Sequence, residues 1–175
     1  LEIGPGKGAL TTELLETGAH VIAIEKDDRL IPVLQELFAQ QIESGQLQLI
    51  HGDALEFDVA DLKLKPGKWK LVANIPYYIT GMLIRRYLES ANQPESMTIL
   101  VQKEVAERIV TKDGKESILS ISVKVFGQPK YGGTVSKRYF SPAPKVDSAI
   151  LYIDTIAHFY GEKDEKAFFE LIKLA

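Results

Sequence analysis

The chain has 175 residues, of which 45% are hydrophobic, a formal net charge of −3 and no cysteine. Its length is enough for a buried core in one domain, and the lack of cysteine excludes disulfide bonds and thiolate metal sites. The negative net charge argues against a uniformly basic nucleic-acid binder. The sequence has no apolar run of about 18 residues and no signal-peptide pattern. We therefore expect a soluble, cytoplasmic monomer without a membrane partner.

The first half of the sequence alternates short β-branched or apolar runs with segments whose apolar residues recur at helical spacing. These patterns predict strands near 1–3, 20–25 and 46–51, and helices near 9–15 and 28–38. A glycine-rich turn separates the first strand from the first helix. The alternation predicts an α/β protein with a parallel, Rossmann-like sheet.

The second half continues this alternation and ends differently. It predicts strands near 70–73 and 97–101 and helices near 80–90 and 103–111. Segment 118–126 fits either a strand or a helix, and we favour a helix. Two further strands, near 130–139 and 148–154, predict an antiparallel C-terminal hairpin on a seven-stranded, mostly parallel sheet.

The ends of the sequence suggest a chain that is truncated on both sides. Leu1 is not a methionine and begins within a predicted strand, and a helix predicted at 164–175 stops abruptly. We therefore expect a catalytic domain at residues 1–155, without the beginning of its first strand. Residues 156–175 are predicted to begin a helical C-terminal domain.

Three closely spaced glycines, Gly4, Gly6 and Gly8, follow the acidic Glu2 at the end of the first predicted strand. Glycines allow the backbone to approach a ligand because they accept positive φ and have no side chain in the way. A dinucleotide-binding fingerprint has the spacing G-x-G-x-x-G, whereas this turn has G-x-G-x-G. The spacing favours S-adenosylmethionine over NAD.

Carboxylates follow the next two predicted strands. Glu25 ends the second strand, beside Lys26, and can accept hydrogen bonds from a ribose diol. Asp53 follows the third strand and can bind an adenine amino group, with Ala54 and Leu55 as an apolar wall. The alternative for Asp53 is a turn or helix-cap role. Because parallel strand ends meet at one sheet edge, we expect these residues to line one cofactor site.

The segment Asn74-Ile75-Pro76-Tyr77 follows the fourth predicted strand. A nucleobase amino nitrogen is a poor nucleophile because its lone pair is delocalised, and acceptors on its N–H groups favour the reactive pyramidal form. Asn74 and the backbone carbonyl near Pro76 can accept those hydrogen bonds, while Tyr77 can stack on an extruded base. We predict a nucleobase amino-methyltransferase with Asn74, Pro76 and Tyr77 as catalytic residues and Asn74 also at the cofactor. A plain turn with a core tyrosine is the alternative.

Taken together, these motifs resemble the KsgA family of small-subunit rRNA adenine dimethyltransferases, which is related to the Erm methyltransferases. The likeness extends over the chain, and its most specific parts are segments 2–6 and 74–77, Glu25 and Asp53, and segments 100–106 and 140–149. The last two segments separate the KsgA branch from Erm. The family commonly has asparagine where this chain has Tyr78.

The resemblance implies a class I S-adenosylmethionine-dependent methyltransferase fold. It also implies dimethylation of adenine N6 in small-subunit (16S) rRNA, with S-adenosylhomocysteine as product and the small ribosomal subunit as partner. Phe140 is implied near the target base, and its alternative role is core packing.

Several other functions stay open. An Erm-type large-subunit (23S) rRNA methyltransferase and an adenine-N6 DNA methyltransferase share the same chemistry. A ribosome-assembly factor that acts by binding immature subunits belongs to a different class. A nicotinamide-dependent oxidoreductase is disfavoured by the glycine spacing. No metal is expected, because His20, His51 and His158 are isolated and the carboxylates lack ligand spacing.

Overall fold

The computed structural model describes residues 1–111 and 116–155. Within these residues seven strands form one sheet: β1 (Glu2–Ile3), β2 (Val21–Glu25), β3 (Leu47–His51), β4 (Lys70–Ala73), β5 (Ser96–Gln102), β6 (Gly127–Val135) and β7 (Ser148–Thr155). Six α-helices accompany them: α1 (Ala9–Glu16), α2 (Leu30–Leu37), α3 (Ala39–Glu43), α4 (Thr80–Leu88), α5 (Lys103–Val110) and α6 (Ile118–Phe126). Short 3-10 helices lie at Val59–Leu62, Tyr77–Ile79 and Lys137–Tyr139.

The strands lie in the order β3-β2-β1-β4-β5-β7-β6. The first five in that order are parallel to one another, whereas β7 is antiparallel to both β5 and β6. This arrangement confirms the predicted mostly parallel sheet with an antiparallel end. The chain builds outward from β1 to β3 and then returns to the other side of β1 as β4. Open α/β sheets bind ligands at the carboxyl ends of strands beside such a switch point.

The core of the sheet is aliphatic. Leu71 of β4, Met97 and Ile99 of β5 and Leu151 of β7 have no measurable exposure to solvent. Full burial of one such side chain contributes about 1.5–3 kcal/mol to folding. The strands that carry the loops at the carboxyl edge are therefore held on a rigid base.

Segment 118–126 is a helix, as we favoured from the sequence. The strand predicted at 130–139 was wrong at both ends, because β6 begins at Gly127 and stops at Val135. Gly127 fits there because a Cβ would lie 2.5 Å from Ile153 Cγ2, so only glycine allows the close pairing with β7. Beyond Val135, the Lys137 N–H donates to Asp147 Oδ1 at 2.9 Å. This bond directs the chain away from its backbone pairing with β7.

The expected domain boundary after residue 155 and the helix expected at 164–175 lie outside the described residues. Both stay predictions. In the part of the chain that the structure describes, no helix is both long enough and apolar enough to cross a bilayer.

Candidate active site

The glycine turn lies at the carboxyl end of β1, in the middle of the sheet. Gly4, Gly6 and Gly8 have φ values of +68°, +59° and +86°, which L side chains rarely adopt. A Cβ on Gly4 would lie 3.3 Å from Ile75 Cγ2, and one on Gly8 would lie 2.6 Å from Phe38 Cε2. The first and third glycines are thus needed for close packing as well as for the turn.

Glu25, at the end of β2, holds this turn from the side. Its carboxylate is almost fully buried and accepts the Gly6 N–H at Oε2 (3.0 Å) and the Asp27 N–H at Oε1 (2.8 Å). Each carboxylate oxygen can accept a second hydrogen bond. Glu25 can therefore fix the backbone and still bind the diol of a ribose.

Asp53, after β3, forms an ion pair with Lys26, whose Nζ lies 2.7 Å from Asp53 Oδ2. The Leu55 N–H donates to Asp53 Oδ1 at 2.9 Å, and Ala54 between them is buried. The hydrogen bond from Lys26, followed by that from Leu55, lowers the pKa of Asp53. The carboxylate closes the turn, and its oxygens can accept further hydrogen bonds, so the two roles considered from the sequence are compatible. The adenine-binding role stays a prediction.

Glu2 differs from the other predicted cofactor residues because its side chain is buried in the fold. Only 1% of the residue is exposed, and neither carboxylate oxygen has a hydrogen-bond partner among the described residues. Burial raises its pKa, and the nearby Thr11 hydroxyl opposes this without reaching hydrogen-bond geometry. The Glu2 side chain therefore lies in the protein interior, behind the glycine turn.

The loop from Asn74 to Tyr77 is anchored at alternate residues. Ile75 is buried beside Gly4, and the Tyr77 hydroxyl lies 2.6 Å from the Oγ of the fully buried Ser148 at the start of β7. Asn74, before the first of these anchors, and Pro76, between the two, are exposed. The loop thus presents an amide and a rigid backbone to solvent while its apolar side is fixed. Ser148 lies in segment 140–149, one of the segments of the family resemblance, but no pattern in the sequence pairs it with Tyr77.

Phe140 is half-buried in the segment between β6 and β7. This segment ends at Ser148, which pairs with Gln102 at the carboxyl end of β5. Phe140 therefore belongs to a loop that reaches the same edge of the sheet as Tyr77. Its predicted place beside a substrate base stays a prediction.

A cavity of about 380 Å³ opens between the cofactor residues and the loop. The predicted residues that line it are Gly4, Glu25, Lys26, Asp53, Ala54, Leu55 and Pro76. The predicted residues outside this lining are Glu2, Gly6, Asn74, Tyr77 and Phe140. The wall also includes the apolar or aromatic residues Ile3, Ile24, Ile75, Tyr78 and Ile79. The size and the mixture of apolar wall and few polar groups are typical of small-molecule sites.

The profile of the family described as ribosomal RNA adenine dimethylase matches residues 1–175. The ribosomal RNA small subunit methyltransferase A of Dehalococcoides mccartyi strain CBDB1 is 45% identical over 153 residues, which cover 87% of this chain and 52% of that protein. The chain belongs to the ribosomal RNA adenine dimethylase family. It spans about half the length of the curated relative.

Two solved structures are similar to this family member. A dimethyladenosine transferase from Plasmodium falciparum has 32% sequence identity and a TM-score of 0.72, and the match covers 89% of this chain and 55% of that one. The 23S rRNA methyltransferase ErmE has 28% identity and a TM-score of 0.80, with coverage of 99% and 68%. The resemblance inferred from the sequence motifs is confirmed at the level of the family and the fold.

In this family member α4 holds the segment that carries Asp53. Arg86 Nη2 donates to the Phe57 carbonyl at 2.5 Å, and the hydroxyl of the fully buried Tyr87 donates to the Ala54 carbonyl at 3.2 Å. Burial raises the pKa of Tyr87 to about 12, so the phenol remains a donor at neutral pH. No pattern in the sequence indicates these contacts, because an arginine and a tyrosine on a helix do not show which distant carbonyl groups they reach.

Proposed function

We propose that the whole protein transfers two methyl groups in turn from S-adenosylmethionine to N6 of adenines in small-subunit (16S) rRNA and releases S-adenosylhomocysteine. The observation that carries this proposal is the contact between the two predicted halves of the site. Gly4 belongs to the glycine turn, here called the cofactor turn, and Ile75 belongs to the loop from Asn74 to Tyr77, here called the acceptor loop. The two are so close that a Cβ added to Gly4 would lie 3.3 Å from the Ile75 side chain. The named relatives support the choice of small-subunit rRNA.

The residues around the cavity fit the proposed cofactor. Glu25 offers acceptors for a ribose diol, Asp53 offers an acceptor for the adenine amino group, and Ala54 and Leu55 supply an apolar wall. The glycine turn lets the backbone come close to the ligand, since a side chain on Gly4 would fill the space beside Ile75. When bound, the sulfonium of S-adenosylmethionine supplies an activated methyl group.

The residues of the acceptor loop act on the amine. The exposed Asn74 amide oxygen and the carbonyl near Pro76 accept hydrogen bonds from the two N–H groups, which favours the form in which the lone pair is available. Tyr77, held by Ser148, offers a fixed ring face for an adenine taken out of its stack. Alignment and preorganised dipoles at the amine supply the rate. As the nitrogen–methyl bond forms, the sulfur–methyl bond breaks, and the methylated nitrogen then loses one proton to water, so a strong general base is not needed.

The proposed reaction needs no metal, because its leaving group is already activated. The sulfonium becomes a neutral thioether as the methyl group leaves, so a Lewis acid would have no developing negative charge to stabilise at the sulfur. Separately, among residues 1–111 and 116–155, no three histidine or carboxylate side chains are grouped as they would be around an ion.

A second candidate is methylation of large-subunit rRNA, and the similarity to ErmE favours it over methylation of DNA. The test is transfer of labelled methyl from S-adenosylmethionine by the whole protein to unmethylated small subunits, with naked large-subunit rRNA and duplex DNA in parallel. We expect N6,N6-dimethyladenine on small subunits alone. Label on large-subunit rRNA would move the activity to the Erm type. Binding of subunits without any label would instead indicate an assembly factor.

A further inference from the structure

Tyr78 is a large aromatic residue that the protein leaves almost uncovered. It directly follows the acceptor loop, in the 3-10 helix before α4, and 82% of its surface is exposed. Exposed aromatic rings bury large apolar surfaces when a flat partner stacks on them. The ring of Tyr78 is therefore available for such a partner.

The same side chain forms part of the wall of the candidate cofactor cavity. It lines that cavity together with Asp53, Ala54 and Leu55, the segment predicted to hold the adenine ring. Lys26, which pairs with Asp53, lines the same cavity. Tyr78 thus shares a wall with the segment that carries the Asp53 carboxylate.

On its other side Tyr78 borders a second, open cavity of about 590 Å³ between α4 and α6. The neighbouring Met82 and Ile118 are themselves 54% and 47% exposed. No described side chain fills this space, so the ring can adjust its tilt over the cofactor cavity without displacing a packed core.

We propose that Tyr78 stacks on the adenine ring of the bound cofactor and is an additional cofactor-binding residue of this protein. This inference rests on the proposed use of S-adenosylmethionine. Asp53 binds the edge of the adenine, Ala54 and Leu55 cover part of its surface, and Tyr78 covers a face that would otherwise remain in water.

The test is the affinity of the whole protein for S-adenosylhomocysteine, measured by titration calorimetry. Stacking of an aromatic side chain on a base corresponds to roughly a 5- to 100-fold change in Kd. We expect Tyr78→Ala and Tyr78→Asn to weaken binding within that range, and Tyr78→Phe to stay within about twofold of the unchanged protein. The matched control is Tyr139→Ala, since Tyr139 is 70% exposed and lines neither cavity.

Three results would overturn the inference. The first is equal affinity in Tyr78→Ala and the unchanged protein. The second is equal weakening in Tyr78→Phe and Tyr78→Ala, which would assign the effect to the Tyr78 hydroxyl. The third is unchanged affinity for S-adenosylhomocysteine with a raised KM for rRNA, which would place a nucleotide of the substrate on the ring. If the folded, unchanged protein does not bind S-adenosylhomocysteine, the proposed function itself fails, and this inference fails with it.

Discussion

The cofactor side and the acceptor side of the site are built in opposite ways. On the cofactor side, Glu25 and Asp53 already have protein partners, because two backbone N–H groups donate to Glu25 and Lys26 pairs with Asp53. On the acceptor side, Asn74 and Pro76 are exposed to solvent, next to the buried Ile75 and the half-buried Tyr77. The polar groups of the cofactor side already have protein partners before a ligand binds. Those of the acceptor side are free to form hydrogen bonds with a substrate.

The difference follows from what each side has to do. A cofactor that binds in every cycle needs a rigid surface, since any ordering on binding would reduce affinity. Groups that activate an amine work best when they are aimed at the reacting atom and receive no competing hydrogen bond from the protein. The predictions below change one side at a time.

The largest effect is expected from Asn74→Ala. Loss of a preorganised acceptor at the reacting nitrogen should lower kcat by at least about 10²- to 10³-fold. Affinity for S-adenosylhomocysteine should change far less, because Asn74 is outside the lining of the cavity. Methyl transfer and calorimetric binding measured on the same sample test this split. Methylation at the original rate would show that Asn74 has no part in catalysis, and equal loss of both would place it on the cofactor side.

The contact between the two sides is tested by Gly4→Ala. The left-handed backbone costs a side chain about 1–2 kcal/mol, and the close approach to Ile75 adds about 1 kcal/mol more of overpacking. Gly18→Ala is the matched control, because Gly18 has φ +81° and no atom within 4 Å of the added Cβ. Urea unfolding should show Gly4→Ala to be the less stable of the two variants. Equal midpoints would show that Ile75 moves aside without cost.

Tyr87→Phe tests the hydrogen bond by which α4 holds the segment that carries Asp53 and Ala54. The change removes the hydrogen bond to the Ala54 carbonyl and should cost about 1 kcal/mol of unfolding free energy, with a few-fold weaker binding of S-adenosylhomocysteine. Tyr152→Phe is a suitable control, because its hydroxyl bonds Asp154 on β7. If Tyr87→Phe lowers stability and leaves binding intact, this hydrogen bond supports the fold and not the binding of the cofactor.

The smallest effect is expected from Lys26→Gln, which removes the exposed ion pair with Asp53. The folded-state pKa of Asp53 is lowered and that of Lys26 is raised. The pair therefore stabilises the fold above the ordinary aspartate pKa and below the ordinary lysine pKa, between about pH 4 and pH 10. Thermal unfolding of both proteins should differ slightly inside this window and converge below it, as Asp53 is protonated. A difference that persists at pH 2 would have another cause.

The parts that the sequence predicted well were those governed by local pattern. The βα alternation and glycine turn follow from periodicity and from the left-handed backbone at Gly4, Gly6 and Gly8, so their positions agree with the structure. The approach of Glu25 and Asp53 follows from the rule that parallel strand ends share one edge. Each of these features depends on residues close together in the chain or on the topology of the sheet.

The parts that the sequence missed depend on contacts between distant residues. Ser148 anchors Tyr77 across 71 positions, and Tyr87 reaches Ala54 across 33 positions, yet neither contact has a local signature. The end of β6 was misplaced because a single bond from the Lys137 N–H to the Asp147 side chain ends the pairing. Tertiary hydrogen bonds of this kind have no periodicity to reveal them.

The position of β7 has a consequence for synthesis of the protein. This strand is the last of the seven in the chain, yet it lies between β5 and β6 and carries the serine that anchors Tyr77. The acceptor loop therefore cannot be fixed until a segment translated some 70 residues later has entered the sheet. A nascent chain that has completed its glycine turn still lacks the Ser148 anchor of the loop that carries Tyr77.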